Sequence, residues 1–490
     1  MNRPIRRVAT AMILLFVALA AQLTYLQLVR ASSLNRDPSN VRVATRDLTR
    51  DRGDIVSADG AVLARSVPVK DALKYQRQYP LGALFGHVTG YQSVNLGTTG
   101  VEHQYDSELL GRDPLLQGHS LADLLGTRNP TGTVVLTLTR SAQQLAKEAL
   151  HGRRGSVVVL DVKTGGVVAM YSEPSFDPSP LANHNTTAVQ KYFEILEKFP
   201  THPDLPRAYR ERYPAGSTFK VLTTAVGLDA GIVNAATPFP RVSSIPLPQS
   251  TRALSNFNGE VCGGTLAESF TVSCNTTFAR IGLTLGERLA EGITAFGINS
   301  PAPPIDLSPG AASSVGPAKG TFRNNQPFFA LGAIGQGDVA VTPLEMALVA
   351  ESVADNGVIM VPHVMSEIRA SDGSPVRRYH PKIWHRAMTT STAVTLNGFM
   401  RSVVSDPNGT GSAARIPGFT VAGKTGTAQV PGGPPHAWFI AFAPAEAPRY
   451  AISVIIERGG GDGSDTTGGR VAAPVAAQIL GALLNGTARG

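Results

Sequence analysis

The sequence predicts a mixed α/β domain built on an antiparallel sheet, placed after a membrane-spanning segment and a smaller exported region. Strand-like apolar runs stand at both ends of residues 151–490, helical patterns with start signals stand between them, and the last strands follow each other through connections too short for parallel crossovers. At 490 residues the chain has length for two or three domains, each with its own core.

The N-terminus gives the compartment. After a short tail, residues 1–7, the run Val8–Val29 has about the length needed to cross a bilayer. Arg3, Arg6 and Arg7 precede it, so the positive-inside rule keeps the tail cytoplasmic and exports everything after Arg30. Ala18-Leu19-Ala20 has the form of a signal-peptidase site, the competing reading. The apolar pattern continues through Tyr25, Leu26, Leu28 and Val29, which favours an uncleaved single-pass anchor in the cell membrane.

Residues 30–150 form the first exported region, with strand-like runs VRVATR and GAVLARS and turn signals at Arg52-Gly53-Asp54 and Asp59-Gly60. The second, residues 151–490, opens on SVVVLDVKTGGVVAMYS, a hairpin folded at Lys163–Gly166. Thr265-Leu266-Ala267-Glu268 has the form of a capping box. Thr342-Pro343-Leu344-Glu345 starts another helix, which Asn356-Gly357 ends. Residues 301–320 read as a long loop. FTVAGKTGTAQV, HAWFIAFAP and RYAISVIIER are the closing strands, and AAPVAAQILGALL is a final helix.

The net charge of +8 is spread along the chain with no run of five basic residues, so no nucleic-acid groove is indicated. Cys262 and Cys274, the only cysteines, are twelve residues apart in an oxidising compartment. A disulfide is favoured there over two buried thiols, and no histidine stands at zinc-ligand spacing from either. No metal or other cofactor is called for.

The chemistry centres on RYPAGSTFKVLTTAVGLDAG, residues 212–231. Ser217 and Lys220 are three apart at the start of an apolar helix, which brings hydroxyl and amine to one face. A serine needs a neighbouring base, and a lysine serves only when burial or a nearby cation keeps it neutral. Ser-x-x-Lys with Ser-x-Asn and Lys-Thr-Gly is the signature of β-lactamases and penicillin-binding proteins. Ser-x-Asn occurs at Ser33, Ser93 and Ser273, and Lys-Thr-Gly at Lys163 and Lys424. The first two Ser-x-Asn matches precede the catalytic region, and Lys163 occupies a hairpin tip. Ser273-Cys274-Asn275 lies between helical patterns, and Lys424-Thr425-Gly426-Thr427 lies in a strand. His436, Trp438 and Gln336 receive a structural reading, the first two in the sheet core and the third at a turn.

With these motifs in order, the chain resembles the class B, monofunctional penicillin-binding proteins, in particular their actinobacterial members. Flanking matches support this: Arg52-Gly53-Asp54-Ile55 with Asp59-Gly60 and Leu63-Ala64, Gly97 and Gly100-Val101-Glu102 with Tyr105, and IGQGDVAVTPLEMA. The resemblance implies a serine β-lactamase/D,D-peptidase-like transpeptidase fold, with a helical subdomain beside the sheet and an N-terminal pedestal of the dimerisation type. It implies Ser217 as the nucleophile acylated by peptidoglycan stem peptides or β-lactams, Lys220 as its base, and Ser273 as proton relay. Asn275 would hold the substrate amide and Lys220; Lys424 would attract the substrate carboxylate and lower the pKa of Lys220. Thr425, Gly426 and Thr427 would form the carboxylate-binding strand, and the Ser217 and Thr427 N–H groups the oxyanion hole. A bond between Cys262 and Cys274 would pin the Ser273–Asn275 loop. Lipid-linked precursor and a membrane glycosyltransferase of the division or elongation machinery are the implied partners.

Other functions share this motif set. A class A β-lactamase needs an E-x-x-L-N carboxylate, and Glu287-Arg288-Leu289 lacks the asparagine. A bifunctional synthase would need a larger N-terminal region. A non-enzymatic β-lactam sensor and a D,D-carboxypeptidase remain as alternatives to the cross-linking transpeptidase.

Overall fold

The computed structural model describes residues 2–30, 47–116, 131–461 and 466–486. VRVATR and the Ser-x-Asn match at Ser33 lie outside the described residues.

The apolar N-terminal run forms the helix Asn2–Tyr25, continued by a π-helical turn over Leu26–Arg30. Of the described helices it alone is long and apolar enough to cross a membrane. Its side chains from Arg3 to Leu23 are exposed, as a helix that needs an apolar solvent would leave them.

A sheet in the N-terminal region runs in spatial order Pro375–Arg378, Met365–Arg369, Thr133–Leu136, Ile55–Val56 and Val62–Pro68. It is not confined to residues 30–150: Met365–Arg369 returns to pair antiparallel with Thr133–Leu136, covering what would otherwise be a bare edge, and Pro375–Arg378 pairs with it in turn. Beside it the two flanking motifs close into one buried ion cluster. Arg52 bonds Glu102 at 2.6 Å and Asp106 at 2.7 Å, Arg77 bonds the other Glu102 oxygen at 2.6 Å, and Tyr79 adds its hydroxyl at 3.2 Å. Arg52 and Glu102 are fully buried, so removing either partner would strand a charge in the core at a cost of about 3–5 kcal/mol.

The sheet of residues 151–490 is antiparallel and five-stranded. Its strands are β1 (Gly155–Asp161), β2 (Val167–Glu173), β3 (Ala422–Val430), β4 (Gly433–Ala443) and β5 (Tyr450–Ile456), in spatial order β3-β4-β5-β1-β2. Both faces are covered, which is why the strands read as near-continuous apolar runs rather than as alternations. The helices around it include α1 (Lys220–Asp229), α2 (Leu266–Thr271), α3 (Asn275–Leu285), α4 (Pro343–Ala354), α5 (Thr390–Ser405) and α6 (Gly468–Leu484). α6 and the helix Arg140–Leu150 pack on the sheet together; α4 also packs against it and is buried on every side, in keeping with its apolar circumference. α4 still carries Glu345 and Glu351, and burial raises both carboxyl pKa values, Glu345 to about 8.

The capping box at Thr265 is present in full and starts α2; Thr342 accepts from the Glu345 N–H at the head of α4. The final helix begins four residues before the expected Ala472, at Gly468, and holds Pro474 inside it. Propensity argues for a later start, but a side chain at Gly468 would clash with Trp438 and Gly426, so tight packing fixes this end.

Candidate active site

The segment Tyr213–Lys220 is fastened before it turns. Tyr213 exchanges both backbone bonds with Val341, Pro214 O accepts from the Trp438 indole at 3.0 Å, and Gly216 N donates to Gly335 O at 2.8 Å. Behind it the buried Glu457 carboxylate accepts from the Tyr213 hydroxyl at 2.8 Å and from Arg207 at 2.9 Å. Gly216 has φ +54, and a Cβ there would lie 2.8 Å from Thr427 O. Only glycine lets the turn lie directly on β3 in that conformation.

Ser217 then falls within the 3₁₀ turn Gly216–Phe219 and Lys220 opens α1. Ser217 is half-buried, whereas Lys220 is fully buried. Lys220 Nζ donates to Ser273 O at 2.7 Å and to Asn275 Oδ1 at 2.7 Å, with Ser273 Oγ at 3.3 Å. Among the described residues none of its hydrogen bonds goes to Ser217. The spacing of three sets the two residues on one edge of the turn, but the buried amine satisfies itself on the second motif.

The second motif occupies the link between α2 and α3. Ser273 has φ +62, a left-handed conformation unfavourable for a residue with a side chain. Several bonds hold it: Ser273 N to Phe270 O at 3.1 Å, Cys274 N to Ser269 O at 2.8 Å, and a disulfide joining Cys274 to Cys262 with Cα atoms 5.7 Å apart. Asn256, which the sequence did not single out, adds a further tie by accepting from Thr276 N at 2.9 Å and donating to Val242 O and Glu260 O. Asn275 Nδ2 donates to Ser255 O at 3.2 Å, leaving its second hydrogen for a ligand. Cutting the disulfide by Cys274→Ser is expected to lower unfolding free energy by about 3 kcal/mol through loop closure. Urea midpoints that coincide for the variant and the wild type would refute this.

The third motif lies on β3, an edge strand that no other described strand joins on its outer side. Lys424 is fully buried; its Nζ donates to Ser273 Oγ at 2.8 Å and to Thr425 O at 3.0 Å. Ser273 Oγ therefore lies between two lysine nitrogens. Gly426 brings the strand close to the first motif, since a Cβ there would lie 2.9 Å from the Thr218 methyl and 3.0 Å from Ala215 O. Thr427 is half-buried, and Thr425, which is buried, has its hydroxyl 2.6 Å from that of Thr410.

The electrostatics follow from burial. Desolvation pushes the Lys220 amine well below its ordinary pKa, and the nearby Lys424 pushes it further. Desolvation also lowers Lys424, to about 7. The rings of Phe278 and Phe270 lie 5.3 and 5.7 Å from the two nitrogens and offer only weak cation–π compensation.

The structure thus brings together Ser217, Lys220, Ser273, Asn275, Lys424 and the strand Thr425–Thr427, and ties Cys262 to Cys274. The competing matches stand apart: Lys163 is exposed at a hairpin tip and pairs with Asp355, and Ser93 bonds its own Asn95 within a turn. Trp438 is a core residue, and His436 accepts from Arg458 N. Among the described residues no group of three or more His, Cys, Asp or Glu side chains forms a metal site.

Comparison with known proteins points one way. The family described as penicillin binding protein transpeptidase domain matches residues 155–481, and that described as penicillin binding protein A dimerisation domain matches residues 52–135. Peptidoglycan D,D-transpeptidase PbpA of Mycolicibacterium smegmatis is 39% identical, with 99% of each chain covered. PbpA of Mycobacterium tuberculosis is 36% identical over 99% of this chain and 100% of its own. The solved ceftriaxone acyl-enzyme of M. tuberculosis penicillin-binding protein A is 35% identical with a TM-score of 0.83, covering 90% of this chain and 100% of that one.

Proposed function

The chain belongs to the class B penicillin-binding proteins, and from that premise we infer how its own residues cross-link peptidoglycan as a serine D,D-transpeptidase. The observation that carries the reading is the convergence of Lys220, Ser273, Asn275 and Lys424 in one hydrogen-bonded group, next to a half-exposed Ser217. Ser217 Oγ attacks the carbonyl of the penultimate D-alanine while the neutral Lys220 amine takes its proton. The oxyanion forms against the N–H groups of Ser217 and Thr427. As the C–N bond breaks, Ser273 passes a proton to the departing D-alanine amine and is reprotonated from Lys220. Lys424, Thr425 and Thr427 hold the terminal carboxylate, with Gly426 keeping the strand close, and Asn275 holds the peptide amide. An amine from a neighbouring stem then attacks the acyl-enzyme, restoring Ser217 and forming the cross-link. A β-lactam takes the donor's place, and its opened ring stays on Ser217.

The edge position of β3 suits this substrate, because an extended peptide can add to the free side of the strand. The apolar N-terminal helix is compatible with a single-pass anchor. Arg3, Arg6 and Arg7 orient it with the tail in the cytoplasm and the site outside, within reach of lipid-linked precursor and of a membrane glycosyltransferase partner.

The test is product analysis of the full chain with a donor ending in D-Ala-D-Ala and an acceptor stem. Mass spectrometry should find a cross-linked dimer and one free D-alanine per bond formed. Free D-alanine without dimer would replace this reading with a carboxypeptidase. A stable penicilloyl-enzyme that makes neither product would replace it with a sensor.

A further inference from the structure

Thr410 lies outside the three motifs and has no part in the mechanism above, yet it bonds a residue of the third motif, Thr425. Thr410 is exposed on the loop after α5, and its hydroxyl oxygen is 2.6 Å from the buried Thr425 hydroxyl. The loop is rigidly built. Asp406 Oδ1 accepts from Asn408 N at 2.7 Å, Gly409 N donates to Asp406 O at 3.0 Å, and Gly411 N donates to Val403 O at 2.9 Å. From the other side, the start of α6 presses on it so closely that a Cβ at Gly469 would lie 2.2 Å from Thr410 O. Thr410 is therefore held against β3 by its backbone, and its side chain is free to act on Thr425.

Each hydroxyl has one hydrogen, and only one can lie between two oxygens at this distance. If Thr425 donates to Thr410, its remaining lone pairs face any anion on β3 and repel it. If Thr410 donates, the Thr425 hydrogen is left to point at the anion. Lys424, bonded to the Thr425 carbonyl at 3.0 Å, draws an anion to this place. We propose that Thr410 is a positioning residue for carboxylate recognition: its hydroxyl donates to Thr425 Oγ1 and thereby commits the Thr425 hydrogen to the terminal carboxylate of the donor. The proposal rests on the reading of Lys424–Thr427 as the carboxylate subsite.

The experiment compares acylation of the full chain by benzylpenicillin and by its methyl ester, which keeps the β-lactam and lacks the charge. Wild type should acylate faster with the acid than with the ester. Thr410→Val keeps the shape and deletes the hydroxyl; it should lower the second-order constant for the acid about tenfold. The loss should appear in the binding constant rather than in the limiting acylation rate, and the ester should be unaffected. Thr410→Ser should restore the acid rate. Thr410→Ala, which adds no branched methyl, should repeat the valine result should Thr410→Val misfold. An acid-to-ester ratio unchanged in the valine and alanine variants of a discriminating enzyme would overturn the proposal and leave the subsite reading standing. A wild type that acylates acid and ester equally would remove the subsite reading, and this proposal with it.

Discussion

Ser217→Ala is expected to yield a folded protein that takes up no fluorescent penicillin. Among the described residues the Ser217 hydroxyl enters no hydrogen bond, and the turn around it is fixed by Gly216, Pro214 and Tyr213 through their backbones. Removing one oxygen from a half-buried position therefore changes little in the fold, and the melting temperature should stay within about 2 °C of wild type. Labelling, in contrast, should vanish, because no covalent bond can form without the attacking oxygen. The informative failure is retained labelling. It would direct attention to Ser273, whose Oγ is held 2.8 Å from Lys424 Nζ and 3.3 Å from Lys220 Nζ and so has the electrostatic setting of a nucleophile. Peptide mapping of the residual adduct would separate the two serines.

How much of this was legible in the sequence depended on whether the signal was local. The hairpin over residues 155–173 and the capping box at Thr265 are written in contiguous residues, and each stands where it was expected; the three short motifs are contiguous in the same way. The return of Met365–Arg369 to the N-terminal sheet was not legible, since its partner Thr133–Leu136 lies more than 200 residues away and nothing in MSEIR names it. Asn256, Thr410 and Glu457 were missed for the same reason: each is an ordinary polar residue until the fold brings it to Thr276, Thr425 or Tyr213. The two-cysteine loop is local as well, closing residues only twelve apart. Spacing overstated the intimacy of Ser217 and Lys220, because a pattern of three residues fixes an edge of a helix and not where a four-carbon side chain will reach. Burial decided that, by sending the amine to the nearest acceptors.

Those acceptors make the strongest prediction about Lys220. Ser273 O and Asn275 Oδ1, both at 2.7 Å, can only accept, and a neutral amine has two N–H bonds to give them. Its lone pair is then left to take a proton, and burial beside Lys424 favours this uncharged form. Lys220→Met removes the base while keeping most of the volume, and should cut the limiting acylation rate by about a thousandfold while the protein stays folded. The pH dependence carries the sign. The second-order constant for benzylpenicillin should rise with pH as Lys220 loses its proton, then fall through about 7 as Lys424 loses the charge that draws the carboxylate. The rising limb should be missing in Lys220→Met, and the falling limb should be missing for the methyl ester. A Lys220→Met enzyme that keeps the wild-type profile at an undiminished rate would mean that another group deprotonates the serine, and that the buried amine only holds the second motif in place.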